Sequence, residues 1–139
     1  MELGTFGALI SFALTLEEKA VEVYTSLENS GSSSELNTLL RGTQKRLGRL
    51  KRIRQELVTE MILEPLSGVD SENYTIPVSP DLEEEELLAL VIQIEENLHS
   101  FYSDTADLIP MKEAERAFHR LAEENLIRLS ELKIISDGQ

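Results

Sequence analysis

Apolar residues recur along this chain at steps of three and four, the period of a helix that buries one face. Four such stretches stand out, and helices are expected over about residues 4–28, 34–63, 80–108 and 111–135. The first carries Phe6, Ile10, Ala13, Ala20, Tyr24 and Leu27 on one seam, and the third carries Leu88, Val91, Leu98 and Tyr102. Leu36, Leu40, Leu47, Leu50, Leu57 and Met61 mark the second, and Ala114, Phe118, Leu121, Ala122, Leu129 and Leu132 the fourth. Asn29, Ser30 and Gly31 supply a stop after the first helix, and Ser32 with Glu35 has the spacing of a capping box for the second. Residues 64–80 contain Pro65, Gly68, Pro77 and Pro80 and cannot continue a helix, whereas Pro110 marks only a short break. A short loop, a long connection and a second short loop predict two helical hairpins joined across an all-α, up-down four-helix bundle in one domain, residues 1–139.

Each odd-numbered helix interrupts its apolar seam with one acid. Glu17 sits between Ala13 and Ala20, Glu95 between Val91 and Leu98, and a tyrosine follows each acid by seven residues, Tyr24 and Tyr102. An unpaired buried carboxylate costs several kcal/mol or more, so a metal, a cation, a proton or hydrogen-bond donors must compensate each one. The matching Glu-to-Tyr spacing also suggests that the two halves of the chain are a pseudo-duplicate.

The facing helices decide among those partners. Gln44 lies among Leu40, Leu47 and Leu50 on the second helix, and Asn125 and Arg128 lie among Leu121, Leu129 and Leu132 on the fourth. The runs LTLEEKAVEVYTSL and IQIEENLHSFYSD, followed by LLRGTQKRLGRL and FHRLAEENLIRL, resemble the rubrerythrin-like branch of the ferritin-like superfamily. That resemblance implies a four-helix bundle with a two-iron site, built from one Glu on each of helices 1 and 3 and a Glu-x-x-His on each of helices 2 and 4. Glu17 and Glu95 match the two single glutamates. Gln44 and Leu47 stand where the second helix would carry Glu and His, and Asn125 and Arg128 where the fourth would.

A guanidinium repels a metal, and amide oxygens hold iron weakly. The favoured expectation is therefore a metal-free polar core of Glu17, Gln44, Glu95, Asn125, Arg128, Tyr24 and Tyr102, with Arg128 within ion-pair range of a glutamate and no cofactor. The corresponding function is a non-catalytic structural or interaction module with a degenerate di-iron site. The alternative is a residual iron- or manganese-binding protein with oxidoreductase or iron-handling activity, using Glu17, Glu95, Glu124 and His99 as ligands.

Composition narrows the partners. The formal net charge is -13, which disfavours nucleic acid, yet seven of the 13 basic residues fall between positions 41 and 54. Arg41, Lys45, Arg46, Arg49 and Arg52 read either as an intramolecular or subunit counter-surface, or as an interaction surface for an acidic protein partner. Leu9, Leu16, Val23, Leu90, Ile94 and Phe101 lie off the main seams, more apolar surface than one seam covers, and so predict a homodimer. There is no cysteine, which excludes disulfides, thiolate metal sites and cysteine nucleophiles. The first sixteen residues lack the basic start of a signal peptide and no run spans a membrane, so a cytoplasmic protein is expected.

Overall fold

The structure is a computed structural model and describes residues 1–29, 34–57, 65–76 and 84–137. It is an all-α four-helix bundle: α1 (Phe6–Asn29), α2 (Ser34–Leu57), α3 (Glu84–Ala106) and α4 (Lys112–Asp137). Where both ends of a helix are described they agree with the periodicity to within about two residues. The expected extension of the second helix over 58–63, the capping box at Ser32 and the first turn expected at 80–83 lie outside the described residues.

The start of α1 shows why the boundary falls where it does. Thr5 stands just outside the helix, and its Oγ1 accepts a hydrogen bond from the Ala8 N–H at 3.1 Å, satisfying a first-turn donor. Leu3, which the apolar pattern alone would admit to the helix, is instead extended. At the other end of the second hairpin, Leu108 N–H and Ile109 N–H bond back to the Thr105 and Ala106 carbonyls, closing α3 before Pro110.

Helix direction follows from which residues meet. Glu17 pairs with Tyr102 and Tyr24 with Glu95, so α1 and α3 run antiparallel. Arg46 meets Asn125, and Thr43 meets Arg128, so α2 and α4 do as well. With a hairpin at each half, the order is up, down, down, up. The connection between α2 and α3 must therefore climb the length of the bundle.

Its described part, residues 65–76, does so as a strap over the α1–α3 seam. The strap begins paired with the N-terminal segment: Leu66 N–H bonds to the Gly4 carbonyl at 3.0 Å, Leu3 N–H to Val69 at 2.8 Å and Ser71 N–H to Met1 at 2.9 Å. Two antiparallel bridges, Glu2 with Asp70 and Thr5 with Pro65, complete the pairing. Gly68 turns the backbone between them at φ 83°, a conformation that strains any residue with a Cβ. Asp70 then caps a 3-10 turn, Ser71–Tyr74, accepting from the Glu72 N–H at 3.0 Å. Tyr74 fastens the strap to α3, its hydroxyl donating to Asp104 at 2.8 Å and its carbonyl accepting from the Asn97 amide at 2.6 Å.

This strap covers part of the second apolar face of α1 and α3. Leu9, Leu16, Val23, Leu90, Ile94 and Phe101 are all buried within the chain. Val69 is buried among them, the Tyr74 ring meets Phe101 edge-on at 5.3 Å, and Ile76 lies with Leu16 and Ile94 around a small apolar pocket. The surface that predicted a homodimer is thus covered from within, and that reason for a second copy falls away. Among the described residues, no helix is long and apolar enough to cross a membrane.

Phe101 is the hinge of this packing, in ring contact with Phe12, Tyr74, Tyr102 and Phe118. Phe101→Ala is expected to lower stability by ~3–5 kcal/mol, read as a shift in urea denaturation midpoint at unchanged slope. A loss below ~1 kcal/mol would mean that the strap and bundle pack independently of this ring.

Candidate functional site

Glu17 and Glu95 are both fully buried at mid-bundle, as the seams require. What surrounds them is one continuous polar network that draws on all four helices. The tyrosines are exchanged between the acids: Tyr102 on α3 donates to Glu17 Oε2 at 2.6 Å, and Tyr24 on α1 donates to Glu95 Oε2. Seven residues are two helical turns, and antiparallel neighbours two turns apart place each hydroxyl opposite the other helix's acid.

The α2 contribution differs from the expectation. Gln44 is exposed and Leu47 half-buried, and the residues that face the acids are Thr43 and Arg46. Arg46 is completely buried, so it belongs to the core and not to the basic surface to which its neighbours assign it. Its Nε lies 3.1 Å from Glu17 Oε2, its Nη2 donates to Asn125 Oδ1 at 2.9 Å, and its guanidinium carbon sits 5.3 Å from the centre of the Tyr102 ring. Asn125 relays the network onward, donating to Glu95 Oε1 at 2.6 Å. Arg128 Nη1 lies 3.6 Å from Glu95 Oε2 and donates to Thr43 Oγ1 at 3.2 Å.

The register of α2 was readable. Leu39, Thr43, Arg46, Leu50 and Ile53 follow one another at steps of three and four, and all five are buried. Arg46 occupies that seam as Glu17 and Glu95 occupy theirs. The line through Leu40, Gln44 and Leu47 runs one step to the side, and a cation within a basic run suggests solvent. Gly42 adjoins the arrangement: a Cβ at that position would stand 2.6 Å from Arg128 Nη2, so the end of the arginine side chain would have to shift to admit it.

The electrostatics are those of charges forced together out of water. Burial pushes the Glu17 carboxyl above its ordinary range, opposed by the Arg46 charge and the Tyr102 hydrogen bond. Burial weakens the hold of Arg46 on its proton, but the neighbouring Glu17, with Tyr102 and Glu95 behind it, more than offsets this and the guanidinium stays charged. Both tyrosines are held well above their usual range, first by burial and then by the carboxylates they face. They are therefore fixed donors. The network is not geometrically saturated: among the described residues Glu17 Oε1 and Arg46 Nη1 have no hydrogen-bond partner, and Arg46 Nε is close to Glu17 without pointing along the bond. The pairing of Arg46 with Glu17 is thus mainly Coulombic.

The other candidate ligands lie outside this network. Glu124 is held by Arg49 Nη2 at 2.9 Å, and His99 Nδ1 is 3.0 Å from the Ala122 carbonyl oxygen. On the bundle surface Arg41, Lys45 and Arg52 are exposed, and Arg49 is partly exposed in its pair with Glu124. Asp107, Glu115 and His119 gather at the start of α4, with His119 Nε2 3.0 Å from Asp107 Oδ1, but this is an exposed surface cluster with its imidazole already paired.

No family model matches the chain, and no curated protein matches it. A solved structure of a hypothetical protein from Pyrococcus furiosus is similar in fold, with a TM-score of 0.70 over 96% of this chain and 89% of that chain at 19% sequence identity. At that identity the likeness carries the helical fold alone.

Two measurements test the network. Arg46→Met should cost ~3–5 kcal/mol by orphaning Glu17, and adding Glu17→Gln should recover a large part of the loss, as seen by urea denaturation at neutral pH. A loss below ~1 kcal/mol for Arg46→Met would show that the pair is not a structural requirement. The second concerns pH. Because the folded-state pKa of Glu17 is raised above 4.5, its contribution is fully present below that value and declines as pH rises through the folded pKa. The stability of the wild type relative to Glu17→Gln should accordingly fall as pH increases from about 4.5 towards neutrality, and a flat or rising difference would contradict the assignment.

Proposed function

We propose that this chain is a ferritin-like bundle of the rubrerythrin type in which an internal ion-pair network stands in place of a two-metal centre. It acts as a non-catalytic structural or interaction module. The observation that carries this reading is the pair of arginines at the glutamates. With the register of α2 corrected, the inward i, i+3 pairs are Thr43 with Arg46 and Asn125 with Arg128, where the resemblance implies Glu-x-x-His on each helix. Both histidine places carry arginine and both glutamate places carry a neutral side chain. That is a joint substitution of four ligands by two fixed cations and two hydrogen-bonding groups.

These residues do not fit a dinuclear metal. Guanidinium nitrogens are donors only, carry positive charge and lie within 3.1–3.6 Å of the carboxylates that a metal would need. Formally, two carboxylates face two guanidiniums, so the interior is neutral without an ion. The alternative, iron or manganese held by Glu17, Glu95, Glu124 and His99, is disfavoured because Glu124 and His99 already have other partners. No reaction step is assigned. An interaction role draws instead on the exposed cations of α2, Arg41, Lys45 and Arg52, offered to an acidic protein partner, while Arg46 takes no part.

Protein purified from cells supplemented with iron and manganese should carry less than ~0.1 metal ion per chain by elemental analysis. Near-stoichiometric metal that disappears in Glu17→Ala would overturn the proposal. The converse experiment restores the implied ligand set: a folded variant with Thr43→Glu, Arg46→His, Asn125→Glu and Arg128→His should acquire about two iron ions per chain.

A further inference from the structure

Exposed cations gather around the groove between α2 and α4. Beside the mid-bundle network these helices make only slight contact, and towards the C-terminal end of α2 they part around an open space of about 600 Å3. Arg52 on α2 and Lys112, Arg116 and Arg120 on α4 project around it, and all four are exposed. Among the described residues none of the four forms an ion pair, although the chain holds 26 acidic residues against 13 basic ones. One acid, Glu113, shares the lining. Four exposed cations around a single hollow, with one carboxylate beside them, make a concentrated local field opposite in sign to the net charge of the chain.

Two further features define what would lie there. The floor is apolar, formed by Leu50, Ile53 and Leu121, so the ligand carries hydrophobic groups as well as negative charge. Beyond the Arg49–Glu124 ion pair, the same seam holds a second hollow of about 320 Å3, lined by the exposed Ile127 and by Glu131. The stretch of α4 that lines the two hollows in turn, Lys112 to Glu131, is about 28 Å long at the helical rise of 1.5 Å per residue. That length and shape suit an elongated chain better than a compact phosphate compound. A nucleic acid fits poorly, because the net charge of -13 repels a long polyanion everywhere beyond the groove.

We propose that the α2–α4 trough binds an acidic amphipathic segment of a partner protein, its apolar side chains on the floor and its carboxylates against Arg52, Lys112, Arg116 and Arg120. This deepens the interaction role proposed above and rests on it. It also moves the centre of that role from the α2 surface to residues of α4 that the basic run does not include. Helix-in-groove recognition of this kind reads apolar anchors at i, i+3, i+4 and i+7 with charge as the selector.

The test uses a fluorescein-labelled peptide of about 20 residues with leucine at those spacings and glutamate elsewhere, together with a counterpart carrying lysine for glutamate. Anisotropy should saturate with the glutamate peptide and stay flat with the lysine peptide. Affinity should fall at least ~10-fold between about 50 and 500 mM salt. Arg116→Glu with Arg120→Glu should weaken binding at least ~10-fold, and Arg116→Gln with Arg120→Gln by less, while Lys19→Glu on α1 changes it by under ~2-fold. Circular dichroism keeps unfolded variants out of the comparison. Unchanged binding by the folded double variants, equal binding of the lysine peptide, or displacement by pyrophosphate or by a DNA duplex as effective as by unlabelled peptide would overturn the proposal. Elemental analysis of the same samples separates the two readings: metal-free protein that ignores the peptide sinks only this one.

Discussion

Two carboxylates lie at the centre of this bundle, out of reach of water, and the arrangement of everything around them answers that cost. Each acid takes a tyrosine from the opposite odd-numbered helix and a guanidinium from an even-numbered one. Asn125 joins the two halves, so the chain of contacts runs from α1 through α2 and α4 to α3 and returns to α1. Such a ring gains little net stability over a well-packed apolar core, since desolvation offsets much of the Coulombic attraction. What it imposes is specificity. A slip of any helix by one residue would separate a charge from its partner, and that error is far more costly than a slipped leucine.

The helices and both acids were legible because periodicity is a strong signal when a helix has one dry face. The tyrosine spacing was legible for the same reason, although its meaning was not: nothing in a single helix says that Tyr24 belongs to Glu95 and Tyr102 to Glu17. The second helix shows the limit more sharply. Arg46 occupies a seam position with Leu39, Leu50 and Ile53, yet a cation among Arg41, Lys45 and Arg49 reads as surface. Hydrophobic pattern and charge pattern conflicted at one residue, and the pattern of burial prevailed because a counter-charge waited inside.

The strap was hidden for a different reason. Apart from the Met1 amino group on the Asp70 carboxylate, its polar attachment to the first five residues is made of backbone hydrogen bonds, which any sequence can form and which leave no periodic trace. The apolar surplus on α1 and α3 was visible, but surplus alone does not distinguish a second chain from a returning loop. Prolines and Gly68 announced a connection that is not helical. Only the antiparallel order of α1 and α3 requires that connection to travel the bundle's length and so to cover the surplus on its way.

Gly42 has a consequence beyond the room it leaves. The guanidinium of Arg128 occupies the volume that any other residue at position 42 would fill with its first carbon. An alanine there would gain helix propensity locally and yet require the end of the Arg128 side chain, which lies by Glu95, to shift. Positions 42 and 128 are therefore coupled: a larger residue at 42 must displace the end of the arginine, and a shorter side chain at 128 frees the space beside the glycine. In a set of related sequences, that paired constraint would distinguish bundles that neutralise their acids with arginine from bundles that rely on something else.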